Sequence, residues 1–277
     1  MAAKQSGKQG FLERTTASFV DAMEHAFYAE QTARADGLLQ RLDPRVKLLG
    51  ILALVVAAAA SRSFAVIGGL MAIAVVLAAL SAVSFSVLLK RVWIAVLLFT
   101  GVIALPAPFT TPGQVVWHLP WLGWSATAQG LASAGYLVLR VETAATLCVL
   151  LVLTTPWNHV LKALRVLRVP AVLVAILGMT YRYLFLVLQS AHDMFESRRS
   201  RMVGELTARE RRRVAASSAG VLMSKTFDLS SEVYMAMQSR GYRGEVTILD
   251  EFQVRNFDWL ALAAFALISI AAFWLGR

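Results

Sequence analysis

Chemistry at a metal ion or at an activated nucleophile would need histidine, cysteine and carboxylate side chains at suitable spacing. The four histidines, His25, His118, His159 and His192, are far apart in sequence, and no two form the His-x3-His pair that zinc sites use. The one cysteine, Cys148, lies in an apolar run, so neither an internal disulfide nor a thiolate metal site is expected. We therefore predict no catalytic residues and no metal ligands.

Two charged side chains, Arg140 and Glu142, lie near the middle of a long apolar segment. They are two residues apart and point to different sides of a helix, so each needs another partner inside a helix bundle or on a second protein. We favour a structural or subunit-interface role for them. The alternative is an ion path through a self-contained membrane channel or secondary transporter, which would normally require more than two such groups.

Enzymatic activity has little support in the sequence. No Gly-x4-Gly-Lys-Ser/Thr phosphate loop occurs, so the chain is not expected to bind ATP by itself. An integral-membrane enzyme acting on a lipid or an isoprenoid would need a cluster of carboxylates or histidines at the membrane interface, and no convincing cluster is found. We therefore predict that the chain is not an enzyme and binds no cofactor.

The composition indicates helices in a lipid bilayer. Of the 277 residues, 58% are hydrophobic and 16% are charged, whereas a soluble domain has about 25% charged residues. This excludes a disordered chain and argues against an ordinary soluble enzyme. The net charge of +10 could indicate nucleic-acid binding, but the charges flank apolar segments, so no nucleic acid is expected. The predicted fold class is an all-α integral membrane protein.

Five apolar segments are long enough, or nearly so, for the roughly 17–25 residues of a membrane span. They are residues 46–61, 64–84, 90–107, 131–154 and 257–276. Residues 1–45 precede them as a cytoplasmic amphipathic region, in which apolar residues recur at helical spacing at Leu12, Phe19, Met23, Ala26 and Phe27. The segments predict four transmembrane helices within 46–154 and a C-terminal transmembrane helix within 256–277.

The distribution of basic residues predicts the orientation. Residues 1–47 contain seven Lys and Arg, which places them in the cytoplasm. Four crossings then return the chain to the cytoplasm at residue 155. A sixth apolar segment, 170–189, would place the eleven Lys and Arg of residues 190–255 outside if it also crossed. We therefore predict that 170–189 does not span the membrane and that 155–255 is a cytoplasmic region.

Within residues 155–255 we predict two long helices, from Tyr181 to Met202 and from about Ala219 to Arg240. Each ends with an arginine next to a small residue, and Gly241 is a natural helix stop. An arginine at a helix end suits a groove on another protein, because its guanidinium makes bidentate contacts with carboxylates. The alternative is a basic surface lying against anionic lipid, which spacing alone favours.

Three short motifs resemble those of a known family. Residues 42–48 read LDPRVKL, residues 236–244 read AMQSRGYRG, and residues 196–200 read ESRRS. Together they resemble the signatures of the transmembrane T components (EcfT family) of energy-coupling factor (ECF) transporters, with CbiQ of cobalt importers the nearest type. The motif before the first span supplies Asp43, Pro44, Arg45 and Lys47.

The resemblance implies a coupling subunit of an ATP-driven importer in the bacterial cytoplasmic (inner) membrane. Its partners would be two cytoplasmic ABC-type ATPases, which bind ATP and Mg, a substrate-binding membrane subunit (S component) of the CbiM type, and a small accessory membrane subunit. The transported ion would be cobalt, held by another subunit. Arg199 and Arg240 would contact the ATPases, with Ser200 and Gly241 permitting close approach. Arg201 is an alternative to Arg199, and Ser239 replaces the alanine of the family signature.

Overall fold

The computed structural model describes residue 33 and residues 37–81, 83, 86, 88–119, 124–201, 207–242 and 256–276. Of the amphipathic region predicted within residues 1–45, residues 1–32 and 34–36 lie outside the described part of the structure. The described helices are α1 (Leu38–Arg41), α2 (Pro44–Ala60), α3 (Phe64–Leu80), α4 (Ile94–Ala104), α5 (Ala107–Thr110), α6 (Ala128–Thr154), α7 (Trp157–Val166), α8 (Ala171–Ser200), α9 (Ala208–Ser239) and α10 (Asn256–Leu275).

The predicted all-helical membrane architecture is confirmed. Each of the five predicted spans corresponds to a helix, and a π-helical turn, Leu88–Trp93, leads directly into α4. By length and composition, α6, residues 171–198 of α8, and α10 are each sufficient to cross a membrane. Helix α3 and the stretch Ile94–Thr110 are shorter apolar helices.

The loop between α5 and α6 contains a small hairpin that the sequence did not predict. Strands β1 (Val115–Leu119) and β2 (Trp124–Thr127) pair antiparallel, with Leu119 opposite Trp124. The hydroxyl of Thr127 donates to the carbonyl oxygen of Thr111 at 2.8 Å and accepts from the amide of Gly130 at 3.2 Å. Thr127 therefore fixes the hairpin to the N-terminus of α6, for which it is the N-cap.

The described residues divide into two compact units, one within residues 29–167 and 251–277 and the other within residues 168–250. In the first unit, which we call the bundle, α2, α3, α6 and α10 pack around one apolar core. Leu54 of α2, Ala74 of α3 and Leu150 of α6 are fully buried there, and Phe265 of α10 is 6% exposed. In a membrane such packing contributes mainly through close van der Waals contact.

The second unit contains the two long helices α8 and α9. Helix α8 begins at Ala171, ten residues before the predicted start, because the apolar segment and the basic segment form one uninterrupted helix. Helix α9 begins at Ala208, eleven residues before the predicted start. The prediction followed the apolar stripe of α9, which recurs at helical spacing at Leu222, Leu229, Val233, Ala236 and Met237. It missed the polar first turns, which begin at a capping box between Thr207 and Glu210.

Candidate functional site

The motif before the first span starts α2 and joins it to α10. Asp43 is the N-cap of α2, and its carboxylate accepts a hydrogen bond from the amide of Arg45 at 2.8 Å. Pro44 occupies the first helical position, where its missing amide hydrogen costs nothing. The amide of Asp43 itself donates to the carboxylate of Asp258, at the start of α10, at 2.8 Å.

Lys47 extends this contact to a third helix. Its side chain is 1% exposed, and its Nζ donates to the carbonyl oxygen of Thr154, the last residue of α6, at 2.9 Å. The carboxylate of Asp43 attracts the same ammonium group. We call Asp43, Lys47, Thr154 and Asp258 the polar cluster. It joins the first turns of α2 and α10 to the end of α6.

Sequence reasoning identified Asp43 and Lys47 but missed Thr154 and Asp258. A signal for Asp258 was present, because a carboxylate in the first turn of an apolar helix requires a partner. Asp258 is 3% exposed. No comparable signal marks Thr154, since its contribution is a backbone carbonyl group at a helix end.

The C-terminal end of α9 has a well-defined geometry around Arg240. The amide of Gly241 donates to the carbonyl oxygen of Gln238, and the amide of Tyr242 to that of Met237, both at 3.0 Å. These two bonds form a Schellman motif. Gly241 has φ +78°, a conformation that favours glycine. Arg240 is therefore the C-cap residue, and it is exposed.

The neighbouring serine belongs to the same helix end. The hydroxyl of Ser239, the last helical residue, donates to the carbonyl oxygen of Ala236 at 2.9 Å. A Cβ atom added at Gly241 would meet no atom within 4 Å. The glycine is therefore required by its backbone conformation within the chain, and the space around it is open.

The C-terminal end of α8 carries the other predicted arginines. The helix ends at Ser200, whose hydroxyl donates to the carbonyl oxygen of Ser197 at 2.9 Å. The amide of Arg201 donates to the carbonyl oxygen of Arg198 at 3.2 Å, so Arg201 continues the last turn. The backbone of Arg199 lies inside the helix, and its side chain is outside the described part of the structure.

Helices α8 and α9 form a groove of about 530 Å³ between them. Its walls are largely apolar, with Tyr183 and Val187 from α8 and Leu229, Val233 and Met237 from α9. The last three belong to the apolar stripe that the sequence predicts for α9. Large apolar side chains that do not line this groove are also exposed: Val221, Met223, Phe227 and Met235 are each more than half exposed. Exposed apolar surface of this extent indicates a surface used for protein or membrane contact.

The two charged residues of α6 have different surroundings. Arg140 Nη2 donates to the carbonyl oxygen of Ser61, the C-cap of α2, at 2.7 Å. Glu142 is 6% exposed, and neither of its carboxylate oxygens has a hydrogen-bond partner among the described residues. The contact of Arg140 with a helix C-terminus agrees with a structural role, because that end carries partial negative charge.

Comparison with known proteins identifies the family. A family model described as "CbiQ: Cobalt transport protein" matches residues 36–248. An uncharacterized protein of Methanocaldococcus jannaschii is 33% identical over 264 residues, which cover 94% of this chain and 89% of that protein. The cobalt transport protein CbiQ of Rhodobacter capsulatus is 32% identical over 153 residues, or 54% of this chain and 62% of that protein.

A third relative extends the match to other transporters of the same kind. The energy-coupling factor transporter transmembrane protein EcfT of Lacticaseibacillus paracasei is 24% identical over 246 residues, which cover 84% of this chain and 92% of that protein. The family match includes the Asp43 motif and both helix ends, at Ser200 and Arg240. The chain therefore belongs to the CbiQ/EcfT family, the non-catalytic transmembrane T components of energy-coupling factor transporters.

Proposed function

We propose that this T component transmits ATP-driven movement from two cytoplasmic ABC-type ATPases to a substrate-binding membrane subunit, through the ends of α8 and α9. T components in general work with ATPases and an S component. The observation that carries the proposal here is Arg240, which is exposed at the C-cap of a 32-residue helix. We assign Arg240 and Arg199 as the ATPase contacts, with Arg201 as the alternative to Arg199.

The end of α9 is suited to insertion into a groove that carries a carboxylate. The Schellman motif satisfies the carbonyl groups of Met237 and Gln238 within the chain, so these two groups need no hydrogen bond from water or from a partner when the helix end docks. Gly241 turns the chain away without adding a side chain beside Arg240. A guanidinium group held in this way can make a bidentate contact with a carboxylate, which is stronger than a neutral hydrogen bond.

The polar cluster supports a cytoplasmic location for residues 155–255. The carbonyl oxygen of Thr154 accepts a hydrogen bond from Lys47 in the first turn of α2, and the carboxylate of Asp258 accepts one from Asp43, the N-cap of α2. Thr154 and Asp258 therefore lie at the same end of the bundle. The chain between them must then cross the membrane an even number of times. Among the described residues of that stretch, α8 alone is long and apolar enough to cross. A crossing by α8 alone would make the number of crossings odd, so we infer that α8 does not traverse the bilayer.

The eleven Lys and Arg of residues 190–255 then favour the cytoplasmic side for this region. Residues 1–45 are assigned to the cytoplasmic side as well. The proposed location is therefore the bacterial inner membrane, with the N-terminus in the cytoplasm. Three crossings before residue 107 then put the hairpin between α5 and α6 on the opposite side, and the absence of Lys, Arg, Asp and Glu from residues 107–130 agrees with that assignment.

For the substrate, we propose cobalt ions. The support is the family description and the name of the Rhodobacter capsulatus relative, which is a cobalt transport protein. The ion would be held by a CbiM-like S component, with a small accessory membrane subunit as a further partner. The measurement that tests this is uptake of radioactive cobalt by cells that express the complete transporter, with nickel as the competing ion.

Charge reversal tests the ATPase contacts. Replacing Arg199 and Arg240 together by glutamate should abolish uptake and ATPase co-purification, because each variant side chain would face the carboxylate that its arginine binds. Loss of one partner of a buried charge pair costs roughly 2–5 kcal/mol, which corresponds to at least about tenfold weaker binding. The measurement is the amount of each ATPase recovered with the tagged T component from mild detergent.

The matched control is the double variant Arg62→Glu and Lys225→Glu. It makes the same change in net charge at two exposed positions, one in the turn after α2 and one in the middle of α9, and neither lies at the C-terminal end of α8 or α9. ATPase recovery should stay close to that of the unmodified protein. The docking assignment is wrong if the Arg199→Glu, Arg240→Glu protein recovers as much ATPase as the control.

A further inference from the structure

The bundle contains an apolar groove beside Glu142 to which the proposed function assigns no role. The groove has a volume of about 750 Å³ and is lined by the π-helical turn, α4, α5 and α6, together with Met71 of α3. Its walls include Leu97, Leu105 and Leu131, each more than half exposed. It belongs to the bundle and contains none of the residues at the ends of α8 and α9.

Glu142 makes this groove different from an ordinary lipid-facing surface. It lines the groove, it is 94% buried, and both of its carboxylate oxygens lack a hydrogen-bond partner among the described residues. A polar group that is buried at membrane depth without a partner is costly. A lipid acyl chain in the groove would leave Glu142 without a partner, since it has no hydrogen to donate.

The groove wall also leaves room for the backbone of another helix. Gly101 of α4 lies on the groove, and a Cβ atom added there would meet no atom within 4 Å. Packing inside this chain therefore does not require a glycine at position 101, although glycine in a helix interior is destabilising. Ala104 and Ala134 continue the small-residue surface. Small residues of this kind let a neighbouring transmembrane helix approach closely.

We propose that this groove receives a transmembrane helix of the substrate-binding subunit, which brings a basic side chain to Glu142 that both donates a hydrogen bond and balances the charge of the carboxylate. The proposal rests on the proposed function, which supplies that subunit as a membrane partner. A second copy of this chain is a poorer fit. Residues 64–84, 94–107 and 131–154 contain a single basic residue, Arg140, and it already bonds the carbonyl oxygen of Ser61.

Site-specific photo-crosslinking in the assembled transporter tests the occupant. A benzophenone amino acid is placed at Leu105 or Leu131 on the groove, and at Leu260 or Leu267 of α10 as equally exposed controls. We expect the groove positions to crosslink to the substrate-binding subunit and the α10 positions to give no such product. Crosslinks from the groove only to lipid, to the accessory membrane subunit or to a second copy of this chain, or no crosslinks at all, would overturn the proposal.

Two variants test the chemistry of the groove separately from its location. Glu142→Leu removes the acceptor, and Gly101→Leu fills the space for the partner helix. Each should cause a several-fold loss of the substrate-binding subunit from the purified complex. The control is Gly69→Leu in α3, where an added side chain also meets nothing within 4 Å but lies off the groove.

Recovery of the ATPases separates this inference from the proposed function. Glu142→Leu and Gly101→Leu should retain the ATPases at the level of the unmodified protein, which also shows that the variants are folded. Unchanged recovery of the substrate-binding subunit from both variants would refute the groove assignment while leaving the Arg240 contact intact. Conversely, a failure of the Arg199→Glu, Arg240→Glu experiment would count against the proposed function alone.

Discussion

Lys47 shows how a single residue can hold several membrane helices together. An ammonium group without a partner at a membrane-embedded position is expensive, yet Lys47 is almost completely buried. Its hydrogen bond to the Thr154 carbonyl oxygen and the nearby Asp43 carboxylate offset that cost. The lysine also satisfies one of the carbonyl groups that the end of α6 leaves without an intrahelical partner. Its role in this chain is to stabilise the bundle.

Replacing Lys47 by methionine should therefore destabilise the protein. The variant loses a hydrogen bond from a charged group, which contributes about 1.5–3 kcal/mol. For a chain of this size that corresponds to a fall in Tm of roughly 3–10 °C. Thermal unfolding in detergent, followed by intrinsic fluorescence, measures this shift. Lys225→Met, at an exposed position of α9, should leave Tm almost unchanged; an equal shift in both variants would contradict the structural role of Lys47.

At the scale of elements, the sequence allowed prediction of the helices but not of all their limits. Apolar runs located the five spans because a membrane helix needs a long uninterrupted apolar segment. Gly241 indicated the end of α9 correctly, because few other residues adopt its conformation. The early start of α9 was missed because its first turns are polar. The capping box at Thr207 and Glu210 is the signal that would have located it.

The candidate site was predictable to a similar degree. The arginines at the helix ends and the Asp43 motif follow from local sequence. The bonds of Asp43 to Asp258 and of Lys47 to Thr154 join residues 215 and 107 positions apart. Such contacts depend on how the helices pack, which periodicity does not specify. The same holds for the bond from Trp93 Nε1, in the π-helical turn, to the Thr146 hydroxyl at 3.2 Å.

The capping box of α9 predicts a pH dependence. Hydrogen bonds from the side chain and the backbone amide of Thr207 lower the pKa of Glu210 below its usual value. Because the folded-state pKa is lowered, the carboxylate stabilises the helix start at pH values above its unfolded pKa. That contribution disappears as the pH falls through the lowered folded-state pKa.

Carboxyl carbon chemical shifts measure this titration in detergent micelles, with Glu210→Gln used to assign the signal. We expect the signal of Glu210 to titrate at lower pH than those of exposed glutamates. In Thr207→Ala, which removes the side-chain bond, its pKa should rise towards the usual value. A signal from Glu210 that titrates with the others in the unmodified protein would show that the box is not formed in solution.

For the whole molecule, the polar cluster limits the possible membrane topologies. It places Thr154 and Asp258 at one end of the bundle, and the bond from the Arg62 amide to the carbonyl oxygen of Gly276, at 2.6 Å, joins the last turn of α10 to the chain just after α2. Helices α2 and α10 therefore run parallel and α6 antiparallel to them. This arrangement agrees with four crossings before residue 155 and one after residue 256.

Cysteine labelling tests this topology. In a Cys148→Ser background, Gln114→Cys on the loop between α5 and α6 should react with a membrane-impermeant maleimide in spheroplasts. Ser217→Cys on α9 should react only after the membrane is permeabilised. Both positions are exposed in the structure. Labelling of Ser217→Cys in intact spheroplasts would place α9 on the outer side and would contradict the cytoplasmic location of residues 155–255.

The polar cluster also affects how force could travel through the molecule. The long-helix unit, residues 168–250, is connected to the bundle through residues 155–167 on one side and residues 251–257 on the other, and the residues that flank these connections, Thr154 and Asp258, are bonded to the same short segment, from Asp43 to Lys47. A force on either end of the long-helix region is therefore expected to reach the membrane helices at the same place, the polar cluster at the start of α2. We therefore expect α6 and α10 to tilt together, because a displacement of either helix at the polar cluster also displaces the start of α2.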